Sequence, residues 1–379
     1  MHNINLRPGW VEVDLSVIGH NLDIIRNEVG PDTEICAVVK ANAYGHGAVP
    51  VTRYLLKKGI RSFAVATVEE ALELREITKD SRILLLGMIC PEYIPAVLEN
   101  DITVGISTLS FARLLSEEAV KAGRTIRCFA FLDTGMCRVG FLSEDPDTVD
   151  SIEAVSKLPG LDMLGLLSHF SGSNDMSNPG KAYTAMQLAR FSRVRDELLS
   201  RGVSLPVCSL ANSYATMMLP ESRFQMVRPG AVLYGSYVDS IMPQFGTKAA
   251  LSVKAKIMHL KDVPAGSAIG YNRTSVTTRT TRIATINLGY ADGIPRVWGG
   301  RGYVLINGRM APLMGVVCMD QFMVDVTDVP DVKIYDEVVI IGKSGDLEIT
   351  ADTVGEATGG IFDTLVCGLT ARLPYVYKE

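Results

Sequence analysis

The chain has 379 residues, 47% hydrophobic and 21% charged, with a formal charge of -5 and a mean hydropathy of +0.20. It is too long for one small binding module and apolar enough to fill a core, which excludes disorder and leads us to expect two globular units. Its mixed, mildly acidic charge gives no field for a polyanion, so nucleic acid is excluded as a partner.

The seven cysteines are widely spaced and never arranged as CxxC. Neither a disulfide framework nor a zinc cluster is expected, and a reducing cytoplasm fits best. Residues 1–7 lack an apolar signal core, and no run of about 20 apolar residues exists to span a bilayer.

Along the chain, Leu15, Ile18, Leu22 and Ile25 recur at helical spacing. Short apolar runs then follow at 35–39, 62–66, 82–86, 102–106, 126–132, 163–167, 206–210 and 224–228, with helical stripes at 68–78, 109–122 and 182–200 between them. Fully apolar strands separated by helices imply a parallel sheet covered on its faces, and eight units suggest a closed (β/α)8 TIM barrel. An open, doubly wound sheet is the alternative. Beyond 245 the texture changes to Thr- and Val-rich alternation with turn pairs such as Asn307-Gly308. The expected division is a barrel over 1–245 and a mostly-β domain over 246–379, with a linker near 246–248.

In such a barrel the chemistry sits where the strands end. The first run ends in Lys40, beside Asn42, Tyr44 and His46; the fifth leads to Asp133 and Arg138; the sixth to Ser168 and His169; the seventh to Asn212 and Ser213; the eighth to Arg228, Gly230 and Ala231. A lysine ending a strand commonly snorkels or pairs with a carboxylate. Desolvated, it can instead present a neutral amine to an aldehyde. Ser213, Gly230 and Ala231 fall where the last two loops of a barrel commonly cradle a phosphate, although a glycine after a strand is by itself an ordinary turn residue. A lysine facing such a cup suggests pyridoxal 5'-phosphate.

The segment 37–47, Ala-Val-Val-Lys-Ala-Asn-Ala-Tyr-Gly-His-Gly, resembles the pyridoxal phosphate signature of the alanine racemase family. The likeness continues through Asp133-Thr-Gly-Met-x-Arg138, Ser168-His-Phe170, Val227-Arg-x-Gly230 with Tyr234-Gly235, Gly289-Tyr-Ala-Asp-Gly293 and Cys318-Met-Asp-Gln321, spanning nearly the whole chain. The resemblance implies a barrel followed by a C-terminal β domain, and an isomerase that interconverts L- and D-alanine by two-base proton exchange on a cofactor aldimine. By that likeness Lys40 carries the cofactor and serves as one base, and Tyr271 is the second base. Tyr44, Ser213, Gly230 and Ala231, with Asn212, hold the phosphate. Arg228, supported by His169, meets the pyridine nitrogen, and Arg138 and the Met319 backbone N–H hold the substrate carboxylate. Tyr271 and Met319 would come from a partner subunit in a head-to-tail homodimer with shared sites.

Two positions depart from the family pattern. Many members carry a carbamylated lysine where this chain has Phe131, and most carry a tyrosine where it has Ala371. The second departure opens space, so a serine or broad-specificity racemase is an alternative. A decarboxylase on the same scaffold is disfavoured by Arg228 and Tyr271, and a non-catalytic cofactor carrier by the β domain that bears Tyr271.

Overall fold

The computed structural model describes residues 7–236 and 242–379. The N-terminal residues 1–6, part of the stretch read as lacking a leader core, lie outside it. Among the described residues no helix is long and apolar enough to cross a membrane.

The chain opens with β1 (Gly9–Asp14) and α1 (Leu15–Val29). Asp14 ends the strand and caps the helix, accepting from the Ser16 and Val17 amides at 2.9 and 3.2 Å. The expected stripe Leu15, Ile18, Leu22, Ile25 is the buried face.

All eight expected barrel strands are present: β2 (Glu34–Val38), β3 (Ser62–Val65), β4 (Arg82–Leu85), β5 (Val104–Ile106), β6 (Ile126–Asp133), β8 (Leu161–Leu167), β9 (Val207–Ser209) and β10 (Met226–Val227), with the two-residue β7 (Phe141–Leu142) beside β6. One parallel run goes β10-β2-β3-β4 and the other β5-β6-β8-β9. A parallel bridge, Leu84 to Thr103, joins them on one side, and on the other the Arg228 amide donates to Ala211 O at 3.1 Å just beyond β9 and β10. The ring is therefore closed. Alternation along the strands sends Cys36, Val38, Ala64, Leu84, Phe129, Phe131, Leu167 and Met226 into an interior cluster. Ile35, Phe63, Val65, Ile83 and Leu85 join the outer core under the helices.

The β domain is built on β11 (Leu251–Val263), followed by β12 (Ala268–Ile269), β13 (Ser275–Val276), β14 (Thr281–Ile286), β15 (Tyr303–Ile306), β16 (Arg309–Met314), β17 (Phe322–Asp325), β18 (Glu337–Ser344), β19 (Leu347–Ile349) and β20 (Tyr375–Lys378). Its nine-stranded sheet runs β19-β18-β15-β16-β17-β14-β11-β1-β20, and β11 also pairs with β18. The first strand of the chain thus lies antiparallel to β11, in the sheet of the β domain, where a division at 245 would assign it to the barrel. The two C-terminal helices, Ala351–Thr358 and Phe362–Cys367, pack together. The expected linker is tied to α1, since Asn21 exchanges hydrogen bonds with Lys248 O and N at 2.8 and 2.9 Å.

Candidate active site

Just after β2 the backbone reverses its hand. Ala41, Asn42, Ala43 and Tyr44 have φ between 51 and 55°, one left-handed turn of L-residues. Each such residue costs roughly 1–2 kcal/mol, so the surroundings must hold the turn. The Ala43 amide donates to Val39 O and the Gly47 amide to Asn42 O, both at 2.8 Å, and Asn42 Oδ1 accepts from the Ala48 amide at 2.8 Å. Glu70, the third residue of the helix Val68–Ile77 and the partner of its N-cap Thr67 in a capping box, reaches across with one oxygen on the Ala41 amide at 2.6 Å and the other on the Ala66 amide at 2.7 Å.

His46 closes the turn from beneath. It is fully buried, its ring 4.6 Å from that of Tyr234. Nδ1 faces two carbonyls, Tyr44 O at 2.7 Å and Ala43 O at 3.1 Å, so it carries the proton; Nε2 has no partner. Burial lowers its pKa to about 4, against the two carbonyl bonds. The unfolded chain binds this proton below about pH 6.5 and the folded chain does not, so stability falls as pH drops from 6.5 towards 4. The expected loss from this group is about 2–3 kcal/mol between pH 7 and 4.5. Urea unfolding at the two pH values reads it directly, and the same fall in a His46→Asn variant would refute the assignment.

The turn sets Lys40 and Tyr44 on one cavity of about 520 Å³ at the barrel mouth, with Lys40 Nζ 5.9 Å from the centre of the Tyr44 ring. Beside Tyr44 lies a small cradle. Ser213 Oγ accepts from the Gly230 amide at 2.9 Å and from Val232 at 3.4 Å. Asn212 caps the helix Ser213–Met218, its Oδ1 accepting from the Ala215 amide at 3.1 Å and Ser173 Oγ at 3.0 Å. Gly230 is required by space: a Cβ there would stand 2.6 Å from Tyr44 Oη. Burial, with the Asp363 carboxylate second, pushes the Tyr44 phenol well above its usual range, so it is a neutral donor.

Arg228 is almost entirely buried. Its guanidinium donates to Ser209 Oγ, to Ser168 O at 2.5 Å and to His169 Nδ1 at 3.4 Å. Burial lowers its pKa only to about 10, which leaves it a cation at neutral pH. His169 is held down to about 3, first by burial and then by the charges of Arg228, Arg138 and Lys40. It is a neutral imidazole that accepts from the arginine.

Nine of the expected site residues therefore line one cavity: Lys40, Tyr44, Arg138, His169, Asn212, Ser213, Arg228, Gly230 and Ala231. Tyr271 and Met319 do not. Tyr271 stands on a single turn that connects β12 to β13 at the tip of their hairpin, 65% exposed, and Met319 is 53% exposed. Met319 is nonetheless fixed, since its carbonyl accepts from the Ala291 amide at 3.0 Å and the neighbouring Asp320 pairs with Arg372 at 2.6 Å. Phe131 packs its ring on Gly105, where a Cβ would meet it at 2.2 Å, and adds an apolar wall to the cavity. Ala371 lies on an exposed turn and forms no part of that wall.

Asp363 lines the cavity and escaped the sequence reading. It arrives on the short helix Phe362–Cys367 of the β domain, more than 300 residues from Lys40. Its position in a helical first turn is visible in the sequence, but nothing there says that this helix returns to the barrel mouth.

A lysine at the mouth of a closed barrel, facing a hydroxyl-and-amide cradle beside cationic walls, defines a barrel enzyme working on a small anionic molecule. Residues 13–238 match the family described as alanine racemase, N-terminal domain, and residues 250–377 match alanine racemase, C-terminal domain. The chain is 40% identical over 372 residues to the alanine racemase of Desulforamulus reducens, covering 98% of this chain and 99% of that one. It is 38% identical over 373 residues to that of Clostridium kluyveri, covering 98% and 94%. The solved alanine racemase of Clostridium difficile 630 superposes with a TM-score of 0.91 at 34% identity, covering 98% and 96%. The chain belongs to the alanine racemase family, a family of isomerases.

Proposed function

We propose that the protein interconverts L- and D-alanine with pyridoxal 5'-phosphate, as a homodimer with shared sites. The observation that carries the reading is Lys40 and the Ser213–Gly230–Tyr44 cradle on one cavity. The residues present fit the cofactor. The cradle offers a hydroxyl, the Tyr44 phenol and backbone amides to a phosphate, with Ala231 and Asn212 shaping it, and Arg228 offers a cationic donor to a ring nitrogen. Once bound, pyridoxal phosphate acts as an electron sink that acidifies the α C–H of an attached amino acid.

The chain's own groups then divide the work. Lys40 Nζ takes or returns the α-proton on one face, and Tyr271 Oη of a second copy does so on the other. The exposure of Tyr271 and Met319 outside their own chain's cavity supports supply across a dimer. Arg138 and the Met319 N–H of the second copy hold the substrate carboxylate. Arg228 is always charged and can donate a hydrogen bond to the ring nitrogen without protonating it; this restrains the electron sink and favours proton return over loss of the carboxylate. Seven free thiols support a cytoplasmic setting. A domain boundary at 245/246 sits between the two matched stretches, apart from β1.

A second reading, extension to serine, rests on the family departure at Ala371, an exposed turn residue outside the cavity wall where most members carry a tyrosine. Exchange of the α-proton in heavy water, scored for both enantiomers of alanine and serine, tests both readings. Racemisation of alanine with slower but measurable turnover of serine is expected, and no exchange with either would refute the function. Ala371→Tyr is expected to lower kcat/KM for serine relative to alanine by about ten-fold, corresponding to a discrimination of about 1–3 kcal/mol. An unchanged ratio would remove the second reading.

A further inference from the structure

Arg138 poses a problem of support. It lines the cavity yet is exposed, and among the described residues it forms no ion pair, while Phe131 on the neighbouring strand offers no charge. The backbone around it is better held than its side chain. Asp133 Oδ1 accepts from the Gly135 and Cys137 amides at 2.9 and 3.0 Å. The carbonyls on the same stretch are met by the helix Asn178–Ser200. Tyr183 Oη donates to Gly135 O at 2.7 Å, and Arg190 Nη1 to Thr134 O at 3.3 Å. Between them Gln187, fully buried, donates to Thr134 Oγ1 at 3.3 Å and to His169 O at 3.2 Å, while its Oε1 accepts from the Ser171 amide at 3.1 Å.

Positions 183, 187 and 190 fall on one helical face. Gly135 lets that face approach, since a Cβ there would stand 2.8 Å from Tyr183 Oη. We propose that Gln187, with Tyr183 and Arg190, is a positioning residue that aims Arg138 through the backbone of its loop and ties that loop to the His169 segment. Rigidity of the loop thus does the work that a charged partner on the guanidinium would otherwise do. The inference rests on the reading of Arg138 as the carboxylate-holding group.

The test uses the purified holoenzyme with Gln187→Leu and Tyr183→Phe. Propionate, which offers a carboxylate and no amine, is titrated calorimetrically beside alanine kinetics. The dissociation constant for propionate and KM for alanine should rise together, about ten-fold in Gln187→Leu and about three-fold in Tyr183→Phe. Both kcat and cofactor affinity should stay within about two-fold. Unchanged propionate binding and KM in both folded variants would overturn the proposal. So would cofactor affinity and Tm falling in step with carboxylate binding, the pattern of a merely structural group. Tyr183 lies at the rim and is 42% exposed, so its variant decides the matter if Gln187→Leu does not fold. Propionate binding is read without turnover, so failure of the wild type to exchange α-protons would count against the racemase reading alone.

Discussion

Lys40→Ala and Tyr271→Phe proteins, each depressed by more than about a thousand-fold in racemisation, should regain about a quarter of wild-type activity when mixed under conditions of subunit exchange. The arithmetic follows from a two-fold dimer. Random exchange makes about half the dimers hybrid, and each hybrid pairs the intact Lys40 of one chain with the intact Tyr271 of the other at one of its two sites. Lys40 faces the cavity of its own chain, whereas Tyr271 points away from the fold on a turn with Gly270 at φ 71° and Asn272 at φ 59°. Proven exchange with no recovery would mean that each chain completes its own site.

Gly230→Ala should weaken cofactor binding by more than about a hundred-fold, beyond what its loss of stability accounts for. Gly230 has φ -123° and ψ -90°, outside the β and αR regions that L-residues favour, so alanine there costs some stability, a cost that does not itself block the cradle. The added methyl would stand 2.6 Å from Tyr44 Oη and 3.0 Å from Cζ, closing the cradle from within. Steric exclusion then makes a further claim. The double variant Gly230→Ala/Tyr44→Phe, which removes the hydroxyl but not the ring, should recover part of the affinity lost by Gly230→Ala alone, despite having lost two cradle groups. Equilibrium dialysis of the cofactor, with Tm of the cofactor-free proteins as control, reads both effects. Normal affinity in Gly230→Ala would show that nothing binds in this cradle.

The barrel was legible because most of its strands are buried on both faces and read as short, largely apolar runs bounded by polar strand ends. Those same strand ends gave Lys40, Ser213, Arg228 and Gly230 before any resemblance was considered. The strand Gly9–Asp14 went unread because it pairs with a partner about 240 residues away, and local pattern holds no information on such pairing. Asp363 was missed for the same reason. Tyr271 and Met319 carry no physical signal of their own: an exposed tyrosine and methionine in a β domain read as surface, and only their motif context marks them. Gln187 was hidden inside a helical stripe taken as packing, where a buried amide differs from its neighbours only in what it can donate and accept.

The turn after β2 suits residues of the opposite hand. At φ near 50°, Ala41 and Ala43 sit in the backbone region that sterics make easy for a D-residue and hard for an L-residue. A chain assembled with D-alanine at those two positions should relax the turn and lean less on Glu70, Asn42 and His46. On the reading proposed for this protein, it would do so with the mirror-image amino acid that the neighbouring lysine helps to make.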